Sequence, residues 1–441
     1  MNFRAFPGNC TEAEQAPPAA GLWRRARFVC LVPGLLLSLA IGGCAGPDRG
    51  TPAPVTLSDQ ITVLGIPNGR FWPDTQGAAM AREAIEALKR ERAAVGQPDG
   101  RLPPTHFLAI SGGGDDGAFG TGLLCGWADT GKLPQFKLVT GVSTGSMIAP
   151  FAYLGGPYQG PLRALYTTIK PDDIFETRGI YGVVFGEALT DTTPLFRLIS
   201  RYVNEQMLAD IAAEYKKGRL LLVGTTSLDQ QRPIIWNIGA IAASGHPGAL
   251  ELFRKILLAS AAIPGVFPPV MIDVEADGKR YQEMNVDGGA VAQTFLYPPD
   301  IGLRLDMKAT QNLRDRHAYI IRNGRLDPQW ATVDRRFLSI TARAIATMIH
   351  YSGYNDIMRI YSTTKRDGVD YNLAYIEPDF PAVKHEDFDP AYLRSLFDYG
   401  YAKGRAGYPW RKSPPHFDVS APEQPRQEPV PPAPEPGRAK R

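Results

Sequence analysis

Three short stretches of this 441-residue chain have residue types and spacings that could do chemistry. In VTGVSTGS, Gly141, Ser143 and Gly145 form G-x-S-x-G between an apolar run that predicts a strand and GSMIAPFAYLG, which predicts a helix. At such a junction the motif is a nucleophile elbow: small flanking residues permit the sharp, strained turn that lifts a serine Oγ clear of the backbone. The plainer explanation is a serine N-cap, a role Thr144 or Ser146 could fill equally well. In SGGGDDGAFG, Gly112, Gly114 and Gly117 fit G-x-G-x-x-G at a second strand–turn–helix junction, where a dinucleotide fold would seat its pyrophosphate. That fold also wants an acidic residue near the end of the next strand, and here FKLVT runs into GVSTGS with no carboxylate. In YQEMNVDGGAVAQ, Asp287 follows an apolar-alternating stretch and precedes Gly288 and Gly289; taken alone it reads as an ordinary D-G turn.

The chemistry these residues could share is acyl transfer. A serine hydroxyl is a poor nucleophile until a neighbouring base accepts its proton, so Ser143 needs an acceptor within hydrogen-bond reach. In a histidine-based triad the chain order would be serine, acid, histidine. Among the histidines after Asp287, His385 in the loop PAVKHEDFDP is the one placed to serve; His317 falls in a predicted strand, His350 inside a long helix and His416 in the tail. No His, Cys or carboxylate cluster has metal-ligand spacing, and no cofactor is expected.

The elements that must position these residues alternate along the chain. THFLAIS, FKLVTGV, RLLLVGTTS, PIIWNIG and HAYIIRN predict strands, several of them apolar at consecutive positions, as strands covered on both faces are. Helices are predicted over 77–95, 117–130, 144–154, 247–262, 334–365 and 390–405. The interleaving implies an α/β sheet with helices on each side. Residues 172–196 mix large apolar residues with glycines and could form a wall or lid for acyl chains, lined by Phe175, Tyr181 and Phe185; buried core explains them equally well.

The order of glycine triplet, G-x-S-x-G and D-G-G, together with LASAAIPGVFPPV from Leu258 to Val270, resembles the patatin-like phospholipase family. The resemblance spans roughly residues 100 to 290. It implies a three-layer α/β/α fold and hydrolysis of lipid acyl esters by a Ser–Asp dyad without histidine. Carried onto this chain, it makes Ser143 the nucleophile, Asp287 its proton acceptor, and the N–H groups of Gly112, Gly113 and Gly114 the oxyanion hole. The chain departs from the family where many relatives carry a basic residue in the glycine motif, having Asp115 and Asp116 instead. Two carboxylates suit the first turn of a helix. They would also disfavour a phosphodiester nearby, so a neutral or weakly charged acyl ester is the expected substrate. The competing readings are a Ser–Asp–His α/β-hydrolase and a non-catalytic lipid-binding envelope lipoprotein that retains the fold.

Before the domain, Arg24, Arg25 and Arg27 precede an apolar run from Phe28 to Ile41 that ends in IGGC, which resembles the lipobox of bacterial lipoproteins. The resemblance implies cleavage before Cys44 and its acylation. Ala45 after the cysteine, where an Asp commonly marks inner-membrane retention, favours the outer membrane, facing the periplasm. The expected organisation is a signal peptide at 1–43, a flexible tether at 44–75, the hydrolase domain at 76–412 and a Pro-rich disordered tail at 413–441. Without residues 1–43 the charges nearly balance, which gives no electrostatic reason to expect nucleic acid as a partner. The partners expected are a lipid or acyl ester and, through the anchor, a membrane.

Overall fold

The computed structural model describes residues 49–96, 102–174, 176–177, 190–299, 314–382, 384–415 and 417. In chain order the strands of the main sheet are β1 (Arg70–Phe71), β2 (Thr105–Ile110), β3 (Phe136–Val142), β4 (Leu220–Ser227), β5 (Arg232–Asn237), β6 (Val270–Ala276), β7 (Lys279–Asp287), β8 (Arg316–Arg322) and β9 (Asp370–Tyr375). The helices are α1 (Gly77–Val95), α2 (Gly117–Ala128), α3 (Thr144–Leu154), α4 (Gln159–Thr168), α5 (Thr193–Tyr202), α6 (Glu205–Lys216), α7 (Ile238–Ala243), α8 (Ala249–Ser260), α9 (Phe337–Asp367) and α10 (Pro390–Ala406).

The sheet runs β1-β5-β4-β3-β2-β8-β9, parallel from β4 to β9 and antiparallel at β5 and β1. Alternate residues of its strands feed two separate apolar clusters. Leu108, Ile110, Val139 and Val223 pack with α2, α3, α8 and α10, whereas Phe107, Ala109, Leu138 and Leu222 pack with α1 and the C-terminal half of α9. Because side chains alternate across a strand, two clusters mean two covered faces. The architecture is therefore the mixed α/β fold in three layers that the consecutive apolar positions imply. The five predicted strands and six predicted helices are all present, with ends shifted by a few residues.

Two features of the sheet place the site. First, β4 outruns β3: their pairing ends at Val142 and Gly224, and β4 continues from Thr225 to Ser227 with its edge open. There β7 pairs antiparallel with it, Thr225 opposite Asp287, Thr226 opposite Val286 and Ser227 opposite Asn285. Second, β7 forms a hairpin with β6 through the two residues Asp277 and Gly278, both at positive φ (50° and 68°), with Ala276 opposite Lys279. An Asp-Gly pair with both residues left-handed is the type I′ geometry that fixes hairpin register.

The expected tether does not extend to residue 75. From Arg49 onward the chain lies on the domain: Arg49 forms an ion pair with Asp229, Thr62 bridges to Glu275, and β1 adds to the sheet edge. Ile61, Val63, Ile66, Phe71 and Trp72 are buried. Their apolar surface outweighs the Pro- and Gly-rich composition that suggests a linker. Residues 44–48 and most of the tail lie outside the described residues; at the tail's start, Phe417 packs edge-on to Tyr361.

Candidate active site

The elbow forms at the end of β3. Ser143 has φ 53° and ψ −128°, a left-handed conformation that an L-residue holds only when its surroundings impose it. The flanking glycines are required by proximity. A Cβ on Gly141 would run into the backbone of Gly145, and one on Gly145 into the carbonyl of Ile110. Ser143 N–H donates to Ser260 Oγ at 3.0 Å, and Ser260 Oγ–H donates to Gly224 O at 2.7 Å. Ser146 Oγ–H donates to Ser143 O at 2.6 Å. Neighbouring hydroxyls thus satisfy both backbone groups of the strained residue.

Where β3 turns away into α3, β7 supplies the next position along β4, and its last residue is Asp287. The result is a direct hydrogen bond: Ser143 Oγ–H donates to Asp287 Oδ2 at 2.6 Å. The other carboxylate oxygen, Oδ1, accepts from Gly289 N–H at 2.7 Å. Both residues are almost completely buried. Burial pushes the Asp287 carboxyl up to about 6, against the opposing pull of its bonds from Ser143 and Gly289. Gly288 and Gly289 belong to this geometry, because a Cβ on Gly288 would meet the Gly224 carbonyl and one on Gly289 the Gln293 amide.

The glycine turn lies against the same serine: a Cβ on Gly112 would stand 3.0 Å from Ser143 Cβ. Only part of the triplet can serve as donors, however. Gly112 N–H is already committed to the Gln293 carbonyl at 2.9 Å, so the expected role of Gly112 in an oxyanion hole is corrected. The N–H groups of Gly113 and Gly114 have no partner among the described residues and precede the N-terminus of α2. A Cβ on Gly113 would collide with the Asn323 carbonyl, which fixes glycine there by contact.

Compared with models of known families, residues 108–298 match Patatin-like phospholipase. These residues form a patatin-like phospholipase domain. The match takes in the glycine turn, Ser143 and Asp287. Among solved structures, the chain is similar to VipD from Legionella pneumophila at 12% identity and TM-score 0.34, covering 68% of this chain and 66% of that one. It is also similar to human GIVD cytosolic phospholipase A2 at 11% identity and TM-score 0.29, covering 69% of this chain and 54% of that one. The chain thus spans less than two thirds of either structure. No curated protein matches it.

Residues outside the family match support the patatin-like site. At the end of β8, Asn323 holds the glycine turn by three hydrogen bonds: N–H to Ser111 Oγ at 2.9 Å, Nδ2 to Ser111 O at 2.9 Å, and Oδ1 accepting Gly120 N–H at 3.1 Å. The neighbouring Arg322, buried, donates from Nη1 to Gly112 O at 3.1 Å. That carbonyl belongs to the peptide whose N–H is that of Gly113, so the guanidinium polarises one of the two free donors. Asp356 of α9 accepts the N–H groups of Gln293 and Thr294, at 2.6 and 3.2 Å. Sequence reading missed Ser260, Gln293, Arg322, Asn323 and Asp356. Ser260 stands inside LASAAIPGVFPPV, which carries the resemblance, and Gln293 ends YQEMNVDGGAVAQ; the other three belong to no local motif.

Asp115 and Asp116 bind the C-terminal part of the chain. Asp115 pairs with Lys384 at 3.0 Å and accepts Phe388 N–H at 3.1 Å, while Asp116 accepts the Tyr392 hydroxyl at 2.7 Å. Lys384 is shared with Asp387 at 2.8 Å and Arg322 with Asp356, so the two cations at this turn face four carboxylates. No histidine is a hydrogen-bond partner of Ser143 or Asp287 among the described residues, and His385 is exposed on its loop. Cys44, Phe175, Tyr181 and Phe185 lie outside the described residues. Among the described residues no group of His, Cys, Asp and Glu could hold a metal ion.

Proposed function

We propose that this chain is a serine hydrolase of lipid carboxylic esters, working through the Ser143–Asp287 dyad and an acyl-enzyme. Membership of residues 108–298 in the patatin-like phospholipases supports lipid hydrolysis. The observation that carries the dyad is the 2.6 Å bond from Ser143 Oγ–H to a carboxylate whose proton affinity burial has raised. In the first half-reaction Asp287 takes the serine proton as Oγ bonds to the ester carbonyl carbon. The carbonyl oxygen becomes an oxyanion held by the Gly113 and Gly114 N–H groups, each such donor being worth roughly 3 kcal/mol. Collapse expels the alkoxide, which takes the proton from Asp287, and leaves the acyl group on Ser143. Water then attacks the acyl carbon as Asp287 again accepts a proton, and collapse expels Ser143 Oγ, which takes that proton from Asp287 as the carboxylic acid leaves.

The enzyme would work at the bacterial envelope, held by an acylated Cys44. The motif set of residues 24–44 is the support for that placement.

The test is covalent labelling by a fluorophosphonate probe. Labelling of the parent protein with none in folded Ser143→Ala is expected, together with ester turnover lost by about a thousandfold or more in that variant. A folded parent that neither labels nor hydrolyses any ester would overturn the reading and leave a non-catalytic lipid-binding lipoprotein in its place.

A further inference from the structure

Eight of the fourteen large apolar side chains exposed among the described residues lie between Trp330 and Tyr351, in the approach to α9 and its first half. Isolated exposed apolar residues are ordinary, but a contiguous group marks a contact surface. Here the group is ordered by the helix itself. At 100° per residue, Phe337, Ile340, Met348 and Tyr351 fall on one side and are 80%, 53%, 70% and 55% exposed. Ser339, Arg343 and His350 fall together about 120° away and are half-buried, as is Thr341 beside the apolar stripe. Arg343 donates to the Gln329 carbonyl. Thus the first half of α9 is exposed round most of its circumference, Ala342, Ala344, Ala346 and Thr347 included, and its apolar stripe stands in water. The helix takes the normal arrangement in its second half, where Ile357 and Ile360 are buried.

The exposed half is tied to the site. Gly353, two residues past Tyr351, packs on the Arg322 guanidinium, where a Cβ would come within 2.8 Å of Cζ. Arg322 in turn holds the Gly112 carbonyl of the oxyanion turn, and one helical turn beyond Gly353, Asp356 holds Gln293. Charge also favours one kind of partner: exposed Arg335 and Arg336 stand against the acid Asp334 at the start of α9. Exposed Trp330 and Tyr351 are residues with an apolar body and a polar edge, suited to a boundary between oil and water. No described helix is long and apolar enough to cross a membrane, so this surface would lie on one.

We propose that the face from Trp330 to Tyr351 docks the enzyme on the surface of an anionic phospholipid bilayer, apolar stripe in the head-group boundary and arginines on the phosphates. About 21 Å of helix then lies along the bilayer, next to the turn that receives the ester. The proposal rests on the lipid-hydrolase reading for its purpose, and the experiment separates the two.

Full-length Ser143→Ala protein is mixed with vesicles of phosphatidylglycerol and phosphatidylethanolamine whose chains carry bromine, a contact quencher of tryptophan. Quenching should exceed that of the same protein with Trp330→Phe. It should fall to the Trp330→Phe level in a Phe337→Asp/Ile345→Asp/Met348→Asp variant. In the active enzyme, that triple variant should lose about tenfold or more of its vesicle hydrolysis while keeping turnover of a soluble monomeric ester within about twofold. Equal quenching with and without Trp330, or unchanged vesicle hydrolysis in the triple variant, would overturn the docking surface. So would a dimer that light scattering finds and the triple variant dissociates, or a lower unfolding temperature of the triple variant without lipid, which would put protein on that face. Trp330 quenching in a protein with no esterase activity would overturn the hydrolase reading alone.

Discussion

Asp287 has to be ionised to accept the Ser143 proton, and burial opposes its ionisation. Its raised value, about 6, predicts that kcat/KM for an uncharged ester climbs as pH rises through an inflection near 6 and levels above it. A profile flat from pH 5 to 8 would exclude this carboxyl as the base. The same shift acts on stability with a definite sign. Because the folded state holds the proton more tightly than the unfolded chain, stability is lost as pH rises from the ordinary carboxylate range through about 6. Asp287→Asn, which cannot ionise, should therefore unfold later than the parent at pH 8, by up to about 3 kcal/mol, while turnover falls at least a hundredfold. Denaturant midpoints at pH 4 and pH 8 check it, and the gain should vanish at the lower pH. Ser143 was legible in the sequence because an elbow is made by neighbours: glycines two residues either side, a strand before, a helix after. The Gly112 donor was misassigned because its competitor, the Gln293 carbonyl, arrives from 181 residues away. Asp115 and Asp116 were readable as charge, but no local pattern connects them to Lys384, Tyr392 and Arg322, which face them.

The elements that were legible are those with an internal signal: the consecutive apolar positions of β2, β3 and β4, and the helical spacing of α1. Missed elements are short or balanced. The strand β9, DYNLAY, begins with a polar residue, and α5 begins inside the glycine-rich segment 172–196, with α6 after it and no strong break between them. The stretch 49–75 was misread as a tether because its prolines and glycines dominate its composition while its few apolar residues carry its packing. Trp72 is buried, donates its indole N–H to Ser58 O at 2.8 Å, and lies under the guanidinium groups of Arg70 and Arg232 at 4.4 and 4.5 Å. Trp72→Ala should therefore destabilise the whole domain by about 3–5 kcal/mol, read as a lower urea midpoint in a single transition. An unchanged midpoint would return this segment to the role of a linker. Between α2 and α10 the sequence holds a signal that passed unread. Gly122 and Gly126 meet Gly400 and Gly404 so closely that a Cβ on any of them would strike the partner's backbone.

Across the whole molecule, two independent attachments to lipid are proposed: an acyl chain at Cys44 and the apolar stripe of α9. One acyl chain gives marginal, reversible binding and a second contact makes it firm. Mass spectrometry of the N-terminal peptide from envelope-extracted protein should find Cys44 first in the chain and carrying acyl groups; an unmodified N-terminus upstream of Cys44 would exclude the anchor. The three-layer class was readable because sheet burial leaves its mark in every central strand. The antiparallel insertion of β7 beside β4 was not, since nothing local in VGTTS announces an open edge, and nothing in YQEMNVD announces a partner.

That insertion makes the chemistry a matter of counting. The Asp277–Gly278 turn is the zero mark of a ruler, and Asp287 stands at the end of the nine-residue strand drawn from it. Successive side chains point to opposite faces, so one residue gained or lost along that strand would set a different residue against Thr225 and turn the carboxylate away from Ser143. The sheet would still pair, and the D-G-G motif would still be spelled out. A relative of this chain could thus keep every recognisable word of the site and be silent for want of one syllable.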